Sequence, residues 1–133
     1  MNSILVLLIM IFLHIVADYN LQGILASMKQ IKYWETEAFK MGMTKDEFYE
    51  SPYNNDYIVA LFTHSFVWTF LFMLPMIFIN GMSILFLVLF GINLILHVFI
   101  DDLKANKFKI NLVQDQLLHL VQIFVTWALF YLL

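Results

Sequence analysis

The chain of 133 residues contains no cysteine and no arginine. Without cysteine there is neither a disulfide nor a thiolate metal site. Without arginine all positive charge rests on seven lysines, and the formal net charge of −3 offers no basic face to a nucleic acid. Charged residues of every kind make up only 13% of the chain. No internal repeat and no low-complexity tract is visible. What is present is apolar: 62% of residues are hydrophobic, against about 45–50% in an ordinary soluble domain. The mean hydropathy of +0.83 and the long runs of Ile, Leu, Phe and Met point to lipid as the solvent.

These runs predict an all-α polytopic membrane protein, one domain over 1–133 with four transmembrane helices in an antiparallel bundle. The helices are expected at about 2–27, 56–79, 82–103 and 112–133, with a polar loop at 28–55. Residues 3–17 resemble a signal-peptide core, but no Lys or Arg precedes them and no small-x-small cleavage site follows. They are expected to be a retained helix. In the loop, Ile31, Trp34, Ala38 and Met41 recur at helical spacing and predict a helix lying on the membrane surface. Thr44-x-x-Glu47 reads as a capping box that starts a second short helix, and Pro52 ends it. Asn80-Gly81 marks a tight turn between the second and third segments.

All seven lysines fall in the loops between segments 1 and 2 and between segments 3 and 4. The positive-inside rule then places those loops in the cytoplasm of a bacterial inner membrane and both termini outside.

The polar residues inside the apolar runs form a pattern. His14 and Asp18 stand four apart, as do His97 and Asp101. Asp115 and His119 repeat the spacing in reverse order, and His64 lies alone, with Ala60 where an aspartate would be. A spacing of four residues is about 6 Å along one side of a helix. Segments 1 and 3 run toward the lysine-rich face and segment 4 runs away from it. The reversal therefore puts one layer of aspartates toward that face and one layer of histidines deeper. An ionised aspartate in hydrocarbon costs about 2.5–3.5 kcal/mol on insertion scales. These groups are accordingly expected to face the bundle interior and to neutralise one another or hold a cation.

Imidazole with carboxylate suits zinc, iron or manganese. His14, Asp18, His64, His97, Asp101, Asp115 and His119 are the candidate ligands for one or two divalent transition-metal ions, zinc foremost. Asp18, Asp101 and Asp115 are also the candidate catalytic groups, one of them acting as general base on a metal-activated water. Gln22, Asn93, Gln116 and Lys104 lie about one turn away as supporting or solvated groups, and Asp102 reads as surface.

In combination, His14-x-x-Ala17-Asp18-x-x-Leu21-Gln22, the central His64, His97-x-x-x-Asp101-x-x-Lys104 and Asp115-Gln116-x-x-His119 resemble a family of small bacterial and phage integral-membrane proteins of unknown function. A looser similarity, partly carried by Thr63-His64-Ser65, is to predicted membrane-bound metal-dependent hydrolases. That similarity implies hydrolysis of a lipid or lipid-linked phosphate, with Lys104 as the main cationic candidate. Two other classes remain in view. One is a proton or ion conduit, which needs polar continuation across the bundle. The other is a structural, holin-like phage membrane protein, which needs apolar helices and self-association into a homo-oligomer but no buried histidines.

Overall fold

The computed structural model describes residues 2–132, and among them every regular element is helical. The first helix, α1 (Ser3–Ile15), starts where the Asn2 side chain accepts a hydrogen bond from the Ile4 amide at 2.9 Å. It continues through one π-helical turn, Val16–Asn20. The Leu21 amide there donates to the Val16 carbonyl at 3.0 Å, five residues back. Gly23 follows with φ +49° and breaks the helix. The first span thus closes at Asn20, short of the predicted 2–27. Leu25–Met28 forms a separate single-turn helix, α2.

The predicted polar loop is folded. It contains α3 (Ile31–Lys40), α4 (Lys45–Glu50) and a 3₁₀ turn, Pro52–Asn55. Thr44 and Glu47 form the capping box that their spacing predicts: the Glu47 carboxylate accepts from the Thr44 amide at 2.7 Å. Three long helices follow, α5 (Asp56–Asn80), α6 (Ile84–Ala105) and α7 (Leu112–Leu132). Together with Ser3–Asn20, they make four helical stretches long and apolar enough to cross a membrane.

In the bundle α1 packs on α5, α5 on α6, α6 on α7, and α7 returns to α1. The Trp127 indole N–H reinforces that closure by donating to the Ser3 carbonyl at 2.9 Å. The residue distribution inverts that of a soluble protein. Ile84 and Phe78 are 83% and 80% exposed, whereas His97 and His119 are fully buried. Lipid is the solvent that makes this arrangement favourable, because apolar groups then face apolar surroundings and polar groups find partners inside. One half of the interior is filled by Val6, Met10, Phe72, Met73, Met76 and Phe130. The other half, toward the folded loops, holds the polar cluster.

Asn106, which caps α6, ties the loop to the bundle. Its side chain accepts from the Ile31 amide at 2.8 Å and donates to the Lys29 carbonyl at 3.1 Å. These bonds satisfy the backbone between α2 and α3 and fix the direction from which Lys29 enters the core. Replacement Asn106→Ala removes both bonds and is expected to cost about 1–3 kcal/mol, read as a lowered unfolding midpoint of the purified protein in detergent.

Candidate metal centre

The polar cluster is assembled from one stripe on each spanning segment. On α6, Asn93, His97 and Asp101 are all buried at four-residue intervals. On α7, Asp115, His119, Gln122 and Thr126 make the facing stripe. From α5 come His64 and, one turn on, Trp68, both buried. The first span contributes His14 and, from its π turn, Asp18. A π turn inserts an extra residue into the hydrogen-bond ring and re-aims side chains there. Asp18 accordingly reaches across the bundle: the Gln22 and Gln116 amides donate to its two oxygens at 3.1 and 2.7 Å.

Asp101 is the centre of the arrangement. Its Oδ2 lies 2.6 Å from the Lys29 ammonium, 3.3 Å from His64 Nε2 and 3.7 Å from His97 Nε2. Its Oδ1 lies 3.5 Å from His119 Nε2. Asp18 Oδ1 stands 3.4 Å from His64 Nε2, and Asp115 Oδ1 stands 3.4 Å from His119 Nε2. Three donor triads result: Asp18/His64/His97, His97/Asp101/His119 and Asp18/Asp115/His119, each with its ligand atoms within 4.8 Å of one another.

These imidazole–carboxylate separations are long for hydrogen bonds, which cluster near about 2.7–3.2 Å. They match another geometry. Ligand bonds of about 2.0–2.2 Å directed to the corners of a tetrahedron put the donor atoms about 3.3–3.6 Å apart. The proton positions point the same way. Gln122 donates through Nε2 to the Asn93 carbonyl at 3.2 Å, so its Oε1 faces His119 Nδ1, also at 3.2 Å. With Nδ1 donating, neutral His119 presents the Nε2 lone pair to two carboxylate oxygens. An acceptor facing acceptors needs a cation or a proton between them. Consistently, His97 Nε2, His119 Nε2 and Asp115 Oδ1 are buried without a hydrogen-bond partner. The buried His/Asp groups are therefore placed to hold a metal ion.

Six of the seven residues expected from the sequence meet in these triads. His14 is held one step back. Its Nδ1 accepts the Trp68 indole N–H at 2.7 Å. A neutral imidazole so engaged carries its proton on Nε2 and has no lone pair left for a metal. His14 instead anchors Trp68, whose ring stacks on His97 with centroids 4.0 Å apart and 21° between planes. His97 also lies against His119, at 4.2 Å and 28°, and His119 in turn packs on Trp68 with centroids 5.1 Å apart, so the three rings form one cluster. Trp68 was legible as the residue one turn after His64 on the same stripe.

Lys29 carried no such signal. It follows a helix break and enters the core from a segment that reads as surface. The remaining groups near the motif are supporting. Lys104 binds Asp115 Oδ2 at 2.5 Å, Gln116 donates to Asp115 as well as to Asp18, and Asn93 donates to Thr126 at 2.7 Å. Asp102 is partly exposed and pairs with Lys107 at 2.7 Å.

Fold and site together define an integral membrane protein whose four spanning helices enclose a histidine–aspartate centre suited to a metal ion. No family model, no curated protein and no solved structure matches the chain.

The Lys29–Asp101 pair can be tested directly. Removing one partner of a buried ion pair leaves an uncompensated charge, at a cost of about 3–5 kcal/mol. In chelator-treated protein, Lys29→Met is expected to destabilise by that order. The double replacement Lys29→Met with Asp101→Asn is expected to recover most of the loss, as read from unfolding midpoints in a double-mutant cycle.

Proposed function

We propose that the protein is a membrane-embedded, metal-dependent hydrolase acting on a lipid or lipid-linked phosphate at the loop-bearing end of its bundle. One observation carries the reading: the buried Nε2 atoms of His97 and His119 stand around Asp101 without hydrogen-bond partners, in one of the three donor triads. The looser similarity to predicted membrane-bound metal-dependent hydrolases, partly echoed by Thr63-His64-Ser65, points in the same direction. The ligand types favour zinc, since neutral imidazoles and carboxylates at tetrahedral separations are its usual set.

Charge balance favours a single ion. Three aspartates against Lys29 and Lys104 leave the cluster one negative charge when the imidazoles are neutral. One divalent ion turns this to one positive charge, which an anion can complete.

When bound, such an ion would supply Lewis acidity, acidifying water and withdrawing charge from a phosphoryl oxygen. The chain's own residues divide the remaining tasks. Lys104 and Gln116 hold Asp115 through Oδ2, which fixes the carboxylate and leaves Oδ1 free to take a proton as general base. Lys29 keeps Asp101 ionised among the imidazoles. Trp68 fixes the plane of His97, and Gln122 fixes the tautomer of His119. Asp18, held by two glutamines, closes the side facing α1.

Purified protein loaded with zinc and freed of excess is expected to retain about one ion per chain by elemental analysis. His97→Ala and His119→Ala are each expected to lower retention by at least about tenfold, and Asp115→Asn to retain metal while losing phosphate release from a lipid phosphate in nanodiscs. Protein that retains no transition metal would sink the proposal.

The lysine distribution supports an orientation in which the α5–α6 turn and both termini face outward, and the loops bearing lysine lie in the cytoplasm. Because the chain lacks cysteine, single replacements report cleanly. Ser83→Cys is expected to react with an impermeant maleimide on intact cells, and Lys109→Cys only after the cells are opened.

A further inference from the structure

Beyond the cluster, toward the loops, lies a cavity of about 280 Å³. Gln22, Ala26, Lys29, Lys104 and Phe108 are among its walls. Three of these residues also hold the carboxylates beneath it. Gln22 binds Asp18, Lys29 binds Asp101 and Lys104 binds Asp115. The floor of the cavity is therefore the outer side of the metal-ligating set. Resting on the hydrolase reading above, we propose that this cavity binds the phosphate group of the substrate, and that it does so only when the metal ion is in place.

The charge count supplies the condition. Without the ion the two lysines stand against three aspartates, the third being Asp18, and the cluster repels an anion. With it the balance becomes one positive charge, and the lysine N–H groups not used by aspartate can turn to phosphate oxygens. Each ammonium has three donors and gives one short bond to its aspartate. Lysine is an effective phosphate binder as a point charge, and in a chain without arginine it is the only such group. The volume suits a small headgroup, since pockets for larger ligands run to about 300–1,000 Å³.

The rim points to a lipid as the carrier of that phosphate. Phe108 stands there 77% exposed with φ 53°. This is a left-handed backbone that a bulky residue rarely adopts and that tends to persist at functional edges. Set between Lys107 and Lys109, it has the character of a side chain at headgroup depth.

The test uses the full-length protein, zinc-loaded or treated with chelator, and its metal content is measured separately. Inorganic phosphate is titrated calorimetrically in detergent, and retention of phosphatidate against phosphatidylcholine is measured in nanodiscs. Metal-loaded protein is expected to bind phosphate at least about fivefold more tightly than metal-free protein. Lys104→Gln, whose side chain is partly exposed, is expected to weaken binding by about tenfold or more when compared at equal measured metal content. Lys107→Gln, outside the cavity, is expected to leave binding unaltered. An effect seen with phosphatidate alone assigns a lipid-borne phosphate; an effect in both arms assigns the phosphate group itself. Metal-loaded protein that binds neither probe, or equal losses in the two lysine variants, would overturn the cavity assignment and leave the metal centre standing. Protein without metal would overturn both.

Discussion

Asp101 keeps a carboxylate almost wholly out of solvent, inside a bundle whose outer surface is hydrocarbon-like. A charge in that position is tolerable only if it is answered on the spot. The answer comes from four directions: the Lys29 ammonium at 2.6 Å and imidazole nitrogens from α5, α6 and α7 at 3.3–3.7 Å. Much else follows from holding these groups in register. Asn106 locks the backbone that delivers Lys29, the π turn re-aims the first span, and facing stripes on α6 and α7 keep their polar side chains inside. Disturbing any of them exposes the same buried charge.

The imidazoles are held as firmly as the charge. His97 packs against both Trp68 and His119, which also touch each other, and Trp68 is pinned by His14. A fully buried ring held in such a cluster has few rotamers open to it. Little ordering is then left for an incoming ion to impose, which is the property a binding site needs. The polar chain continues from His119 through Gln122 and Asn93 to Thr126, and there it meets a core of methionine and aromatic side chains. Titratable groups are thus concentrated at one end of the bundle, and apolar packing at the other. The folded segment between the first two spans belongs to the titratable end. It supplies Lys29 to the centre and walls to the cavity beside it, so it is part of the bundle's polar half.

Most of this plan is legible in the residues. A 62% hydrophobic chain with charged groups confined to loops and helix ends has few ways to satisfy both lipid and its own carboxylates. Four spans, an antiparallel order and an inward-facing His/Asp layer follow from hydropathy and from the four-residue spacing. The reversed order of Asp115 and His119 was the most informative single feature, because only an antiparallel neighbour of α6 needs it. Spacing was less informative where the backbone departs from the α-helix. His14 and Asp18 look like a pair, yet they serve different partners once the π turn separates them.

The sequence by itself determined which residues are too costly to face lipid, and hence which must meet inside. That follows from transfer free energy, a property of each side chain and of its position along a span. Only the tertiary structure decided which atoms meet. It made His14 a support for Trp68, chose Lys29 from among seven lysines to enter the core, and centred three imidazoles on Asp101. Those choices depend on how four helices rotate against one another and on where a glycine break redirects the chain. Such contacts span 98 residues between Gln116 and Asp18 and 124 between Trp127 and Ser3, and local periodicity carries no record of them.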